Sequence, residues 1–129
     1  MIKPGGETVL LYNIDPEKGR KLRFLMVRMG MRIRVVAKED YGKAIGTLAG
    51  MKDVTLETPD YPVEYFQDEM MVMRGFTEGR LDMFLQAMRK EGIGRIDYKA
   101  ILTPNNCRWN SWQLYEELKK EHEQMHQNQ

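Results

Sequence analysis

Hydrophobic and polar positions along the first half of the chain predict a strand, a helix, a second strand and a second helix. Residues 9–12 are all apolar, which is typical of a strand covered on both faces. Asp15 suits an N-cap, and the apolar positions that follow it at helical spacing continue to Gly30, which ends the helix. Residues 32–36 alternate like an edge strand, and a weaker helix is predicted over residues 40–50.

The same pattern starts again in the second half of the chain. Residues 70–73 form an apolar strand, and Thr77 is placed as the N-cap of a helix that Gly92 ends. Residues 96–102 are predicted as a fourth strand. Asn110 and the glutamine three residues after it have the spacing of a capping box, so a final helix is expected to begin there.

The two series superpose as sequence, with their helix caps, helix core positions and terminal glycines in register. A repeat of this kind indicates an internal duplication. We therefore predict one domain over residues 1–129, with a first βαβα half at 7–51 and a second at 69–126. Residues 52–68 contain prolines and scattered acids, and they are expected to form an irregular linker between the halves.

The charge pattern of the strands predicts their order in one sheet. The first and third strands are apolar throughout, as expected for central strands, whereas the second and fourth carry alternating charges that suit edges. The expected fold is α/β, with a four-stranded, mostly parallel sheet in the order 2-1-3-4 and helices on both faces. We expect the two central strands to run parallel, in which case right-handed crossovers place the first and fourth helices on one face and the second and third on the other.

Composition narrows the class of protein. The chain has 129 residues, 42% hydrophobic and 30% charged, which is typical of a globular domain. Its 20 basic and 19 acidic residues leave a net charge of +1, which argues against a nucleic-acid binder that works through bulk charge. The single cysteine, Cys107, allows no internal disulfide, and the sequence shows no signal peptide or membrane span. We therefore expect a cytoplasmic protein with no membrane partner.

Four stretches of the second half carry a resemblance to a known family, namely residues 73–76, 88–90, 99–104 and 109–118. From Asp68 to the C-terminus the sequence is similar to a bacterial family described as domain of unknown function 3783. The resemblance implies small bacterial proteins with no assigned activity. It carries over no catalytic residue to this chain.

The turns that follow the first and third strands are candidates for a small-ligand site. If both turns leave the sheet at the same end, they meet where open α/β sheets bind ligands, and each leads into a helix N-terminus that favours anions. The residues that would hold a phosphate or carboxylate are Lys18, Arg74, Thr77, Gly79 and Arg80. The alternative is structural, because Thr77 is explained as a helix cap and acidic residues lie in the same turns.

The loop between the fourth strand and the final helix is a candidate for protein recognition, because loops carry function and Trp and Arg favour interface hot spots. Its candidate contact residues are Asn105, Asn106, Arg108, Trp109 and Trp112. The alternative is that the two tryptophans fold back over the edge of the core. Cys107 lies in this loop with no histidine nearby in sequence, which argues against a catalytic nucleophile.

Residues 122–126 read His-Glu-Gln-Met-His and match the helical motif of zinc proteases. A catalytic zinc has a third protein ligand in such sites, and His122 and His126 are the only histidines of the chain. The motif also lies at the end of the sequence, where helices fray. We therefore predict no metal site and no cofactor.

These observations favour a non-enzymatic protein-interaction or regulatory module of a bacterial cytoplasm. Enzymes rank last because the sequence offers no acid pair, no nucleophile with a neighbouring base and no metal cluster. The first alternative is a sensor of a small anionic ligand at the crevice of the first and third strands. A second alternative is an enzyme that acts on a phosphate-bearing substrate there. Homodimerisation is compatible with all three.

Overall fold

The helices and strands of the described residues follow one another in the order that the sequence predicts. The structure, a computed structural model, describes residues 6–127 and the side chains up to residue 125. Its elements are β1 (Thr8–Tyr12), α1 (Pro16–Arg28), β2 (Arg32–Val35), a 3₁₀ turn (Lys38–Asp40), α2 (Ile45–Leu48), β3 (Met70–Arg74), α3 (Glu78–Lys90), β4 (Tyr98–Ile101), a second 3₁₀ turn (Asn106–Arg108) and α4 (Ser111–Gln127).

The four strands found within residues 6–127 form one sheet in the predicted order, β2-β1-β3-β4. β1 pairs with β2 in parallel and β3 pairs with β4 in parallel, so the prediction of a mostly parallel sheet is confirmed. The central pair is antiparallel, with Thr8 opposite Arg74 and Tyr12 opposite Met70. The expectation that β1 and β3 run parallel is therefore wrong. An apolar strand has the same burial pattern in either direction, so this pattern identified both strands as central without fixing their relative direction.

The antiparallel centre also changes which helices share a face of the sheet. Buried residues of α1 and α3 pack together on one face, and those of α2 and α4 pack on the other. The expectation that the first helix shares a face with the fourth is therefore wrong. The second half is rotated about an axis perpendicular to the sheet, and this rotation leaves the first helix of each half on the same side.

The sheet has an apolar core on each side, because successive residues of a strand point to opposite faces. Covering both faces confines candidate binding surfaces to the sheet edges, the strand ends and the outer faces of the helices. The core beneath α1 and α3 includes Val9, Leu11, Leu22, Met26, Met71, Met73, Phe84 and Met88. The core beneath α2 and α4 is richer in aromatic residues and includes Leu10, Tyr12, Tyr41, Ile45, Phe66, Val72, Leu114 and Tyr115.

The two halves repeat each other at constant offsets. β1 and β3 begin 62 residues apart (8 and 70), and so do α1 and α3 (16 and 78). β2 and β4 begin 66 residues apart (32 and 98), as do α2 and α4 (45 and 111). The glycines that follow α1 and α3 also correspond, since Gly30 and Gly92 have φ angles of 74° and 69°. Only glycine adopts this left-handed conformation readily, so both helices end in the same way.

The second helix of the first half is shorter than its counterpart, and the linker takes its place. α2 has four residues, whereas α4 has 17. Residues 52–68 contain no helix or strand. The ring of Phe66 stacks on Tyr115 with the centroids 4.2 Å apart, and Asn13 Nδ2 donates to Phe66 O at 2.7 Å. This segment therefore completes the aromatic core on the face that the short α2 leaves partly open.

Candidate functional site

The five residues predicted to hold an anion do not lie at one end of the sheet. Because β1 and β3 are antiparallel, Lys18 follows β1 at one end of the sheet, whereas the other four residues follow β3 at the opposite end. The expectation that the two turns meet in one crevice is therefore wrong. The ligand role of each residue on its own stays a prediction, and the surroundings of each side chain show what it already contacts.

Lys18 links the two halves from the first turn of α1. Its Nζ atom donates to Glu69 Oε1 at 2.5 Å and to the backbone O of Arg95 at 2.9 Å. Asp15 caps the helix by accepting from the backbone N–H of Lys18, and its own N–H donates to Glu69. The ammonium group therefore already has a carboxylate partner, which comes from the start of the second half.

Arg80 makes the equivalent contact from α3. Its Nε and Nη2 atoms donate to the carboxylate of Glu7 at 2.7 and 3.1 Å, and Nη2 also donates to Met29 O at 2.6 Å. The Glu7 side chain is only 7% exposed. The hydrogen bond from Arg80 lowers the pKa of the Glu7 carboxyl below its ordinary value, against the opposing effect of burial. Arg80 therefore neutralises a buried carboxylate, which is a structural task.

These two ion pairs occupy corresponding positions in the repeat. The two carboxylates are 62 residues apart (7 and 69), and so are the two cations (18 and 80). In the antiparallel arrangement, each carboxylate precedes a central strand and lies beside the helix of the other half. The repeat offset is the sequence signal that identifies these pairs, once the central strands are known to be antiparallel.

Thr77 and Gly79 have local roles at the start of α3. Thr77 Oγ1 accepts from the backbone N–H of Arg80 at 3.1 Å, so the predicted N-cap is present. No atom outside the immediate neighbours lies within 4 Å of where a Cβ of Gly79 would stand. A side chain is therefore tolerated sterically at Gly79, and no close approach requires a glycine there.

Arg74 is separated from this group and joins the loop before α4. Its Nη1 atom donates to Ala49 O at 2.8 Å, which ties the guanidinium to the C-terminal end of α2. It lines a groove at the carboxyl ends of β3 and β4 together with Arg108. We call this surface the β3–β4 groove, and its lining consists of residues 51–55, Arg74, Gly75, residues 102–104, Cys107 and Arg108.

Asn106 organises the predicted recognition loop. Its buried side chain accepts from the backbone N–H of Thr103 at 2.8 Å and donates to Ile101 O at 3.0 Å. Cys107 is a buried free thiol that donates to Pro104 O at 3.3 Å. Asn106 therefore stabilises the shape of the loop and is withdrawn from its surface.

The two tryptophans of this loop contribute to the core. Trp109 and Trp112 are half-buried and pack against the aromatic core beneath α2 and α4. The ring of Trp112 lies 5.5 Å from that of Tyr115. Of the five predicted contact residues, Asn105 and Arg108 are the exposed ones. The geometry therefore favours the structural alternative for the tryptophans, and a recognition role of the loop stays a prediction.

An exposed apolar groove between α1 and the edge strand β2 was not predicted from the sequence. Phe24 is 65% exposed, Val27 70% and Val35 54%. They line one groove of about 590 Å³ with Leu11 and Ile14, and we call it the α1–β2 groove. Single exposed apolar side chains are common on proteins, but a contiguous group marks an interaction surface.

The second half has no equivalent apolar surface at the corresponding positions. Phe24 corresponds to Gln86 and Val27 to Arg89, each 62 residues on in α3. The repeat therefore forms a stable helix with polar residues at these places, and the fold does not require apolar ones. The sequence signal that identifies the groove is an apolar residue of α1 outside its buried stripe, combined with a polar residue at the equivalent position of α3.

The structure gives no support to a metal site or a membrane span. Within residues 6–127, no three His, Cys, Asp or Glu side chains are grouped so that they can hold a metal ion. The ring of His122 lies 5.4 Å from that of Tyr98, and the side chain of His126 lies outside the described residues. In the same part of the chain, none of the helices has both the length and the apolar character needed to cross a bilayer.

Comparison with known proteins identifies a relationship for the second half of the chain. Residues 69–125 match the family described as Domain of unknown function (DUF3783). This segment contains β3, α3, β4 and most of α4, and it is the half for which the sequence resemblance was found, so the resemblance is confirmed there. No curated protein and no solved structure matches the chain significantly. The α1–β2 groove lies outside the matched segment.

Proposed function

We propose that this protein is a non-enzymatic interaction module that binds a segment of a partner protein in the α1–β2 groove. The observation that carries the proposal is the grouping of Phe24, Val27 and Val35, each more than half exposed, in one groove of about 590 Å³. Burying one such side chain contributes about 1.5–3 kcal/mol. A partner that covers all three therefore gains enough to offset part of the entropy lost on association.

The lining of the groove indicates what kind of partner segment fits it. Arg20 and Arg23 are the charged residues of the lining. Arg20 is paired with Glu17 at 2.5 Å, whereas Arg23 has no carboxylate partner among residues 6–127. An apolar segment flanked by Asp or Glu complements this surface in shape and in charge.

The sheet edge favours an extended conformation for that segment. β2 is an outer strand, so one side of its backbone is unpaired in the sheet. Strand addition to such an edge supplies backbone hydrogen bonds, and alternate side chains of the added strand reach the groove. Val35 lies on this strand beside Phe24 and Val27 of α1, which places the edge and the groove side by side.

We also propose that the two halves arose by internal duplication and that the protein works in a bacterial cytoplasm. The equal offsets of the elements and of the two inter-half ion pairs support the duplication. The resemblance of the second half to a bacterial family and the single free thiol of Cys107 support the location. A sensor or an enzyme at a crevice shared by β1 and β3 receives no such support, because their carboxyl ends point in opposite directions.

Photo-crosslinking in cells tests the interaction proposal. A photoreactive phenylalanine analogue is placed at Val27, within the groove, and in a separate variant at Met83. Met83 is a matched control because it is 57% exposed on α3 and lies outside the groove. Mass spectrometry identifies the cross-linked peptide, and a synthetic copy of that peptide is titrated onto the purified chain.

The proposal predicts an adduct at Val27 and none at Met83. The cross-linked peptide should be apolar with flanking Asp or Glu, and it should bind the purified chain with an affinity that Phe24→Lys lowers by about tenfold or more. The same adducts from both positions would contradict the proposal. An adduct formed only with a second copy of this chain would also contradict it and would identify the groove as a dimer interface.

A further inference from the structure

The carboxyl ends of β3 and β4 form a crevice that the sequence placed elsewhere. β3 and β4 are parallel neighbours. The chain leaves β3 for α3 on one face of the sheet and leaves β4 for α4 on the other. In open α/β sheets, ligands bind outside the carboxyl ends of strands at the point where the connections part in this way. The ligand position expected between β1 and β3 therefore lies between β3 and β4.

The β3–β4 groove has the size and the mixed lining of a small-molecule site. Its volume is about 660 Å³, within the range of about 300–1,000 Å³ that ligand pockets occupy. Met51, Val54 and Leu102 give part of the lining an apolar character. Gly75 has a φ of 80°, which turns the chain away from the strand end and leaves the groove open there.

The charges of this groove are unbalanced. Lys52, Arg74 and Arg108 line it, and Asp53 is the one acidic residue of the lining. Arg74 donates to Ala49 O, and Arg108 Nε donates to a backbone O of the linker at 3.4 Å. Within residues 6–127, none of the three cations forms an ion pair. Lys18 and Arg80, by contrast, are both paired with carboxylates and belong to the structural contacts between the halves.

Arg74 is held in a position that suits anion binding. Its hydrogen bond to Ala49 O uses one Nη1 donor, and no other hydrogen bond of this guanidinium occurs among the described residues. A guanidinium has five N–H donors in a planar fork, so several of them stay available. Holding one end of the fork reduces the entropy lost when the remaining donors bind a phosphate or carboxylate.

We propose that the β3–β4 groove binds a small organic phosphate. Arg74 binds the phosphate oxygens, Lys52 and Arg108 add electrostatic attraction, and the apolar residues contact the organic part. This site is separate from the α1–β2 groove, with no lining residue in common, so it does not depend on the proposed protein interaction.

The test is an NMR titration of the ¹⁵N-labelled full chain with a panel of probes. The panel contains nucleoside monophosphates, sugar phosphates, phenyl phosphate, inorganic phosphate and a short single-stranded RNA. Adenosine and phenol are the uncharged controls. The variants are Arg74→Gln and the double variant Lys52→Gln with Arg108→Gln, whose side chains are exposed and whose loss leaves the contact with Ala49 in place. Arg89→Gln is the matched control, because Arg89 is an exposed arginine outside this groove.

We expect at least one phosphate ester to give saturable shifts at the amides of Gly75 and Thr103, and the uncharged controls to give none. The dissociation constant should rise about tenfold or more in Arg74→Gln and in the double variant, and it should not change in Arg89→Gln. No saturable shift with any ester would overturn the proposal, as would equal affinity in the double variant. Inorganic phosphate binding as tightly as every ester, or binding of the RNA alone, would also overturn it.

Discussion

Arg80→Met is expected to destabilise the fold because it leaves the Glu7 carboxylate buried without its partner. Arg80 donates two hydrogen bonds to Glu7 and one to Met29 O, and the Glu7 side chain is only 7% exposed. Methionine fills similar space without a charge. The variant therefore tests whether Arg80 is a structural residue or a free anion-binding cation.

The magnitude follows from the burial of the two partners. Breaking a buried pair costs about 3–5 kcal/mol. The Arg80 side chain is 30% exposed, so water reaches part of the site, and we expect a smaller cost of about 2–3 kcal/mol. For a domain of this size the melting temperature falls by roughly 8 °C. Lys18→Met is the matched variant, and its cost should be about 1 kcal/mol lower because the remaining carboxylate, Glu69, is 24% exposed.

The pH dependence gives the cost a specific signature. In the wild type, Arg80 lowers the pKa of Glu7 below its ordinary value of 4.5, so the contribution of the pair is complete above that pH and is lost as the pH falls through the lowered pKa. In Arg80→Met, burial without the partner raises the pKa of Glu7. The carboxyl then takes up a proton as the pH falls from 7 towards 5, and the cost should shrink over that interval.

Urea unfolding followed by circular dichroism at pH 7 and pH 5 measures these differences. Adding Glu7→Gln to Arg80→Met should recover part of the lost stability at pH 7, because the uncompensated charge is gone. A cost below about 0.5 kcal/mol, the size of an ordinary surface substitution, would refute the structural role of Arg80. A cost that stays the same at both pH values would refute its assignment to Glu7.

Two further substitutions test particular contacts of the fold. Gly75→Ala should destabilise by about 1–2 kcal/mol more than Gly92→Ala, because both glycines have positive φ angles but only a Cβ at Gly75 would meet a backbone atom, Gly6 O, at 2.6 Å; equal unfolding free energies would exclude this close approach. Ser111→Ala should cost about 1–3 kcal/mol, because Ser111 is the 2.7 Å hydrogen-bond partner of the fully buried Tyr12 hydroxyl. Tyr12→Phe in the same chain should recover part of that loss, and an additive loss in the double variant would contradict the pairing.

The sequence predicted the elements and the strand order because both depend on local patterns. Apolar runs mark β1 and β3 as central, and cap residues and glycines mark the ends of α1 and α3. The relative direction of the two central strands depends on contacts between distant residues, and no local pattern records it. That single direction decides which helices share a face and which turns share an end of the sheet.

The candidate sites were harder to predict for the same physical reason. Lys18 and Arg80 are cations in helix first turns, and only the folded chain shows that Glu69 and Glu7 neutralise them. Arg74 and Arg108 lie 34 residues apart and belong to different predicted sites, yet they line one groove. Phe24 is exposed on the face of α1 opposite the core, and helical periodicity alone assigns such a residue no role.

The most direct test of the proposed interaction is the dissociation constant of the cross-linked partner peptide, measured by calorimetry on the wild type and two variants. Val27→Lys changes the α1–β2 groove at a side chain that is 70% exposed, and Met83→Lys changes a 57% exposed side chain elsewhere. We expect Val27→Lys to weaken binding by about tenfold or more with unchanged stability, and Met83→Lys to leave the constant as it is. An unchanged constant in Val27→Lys would contradict the assignment of the groove as the binding surface.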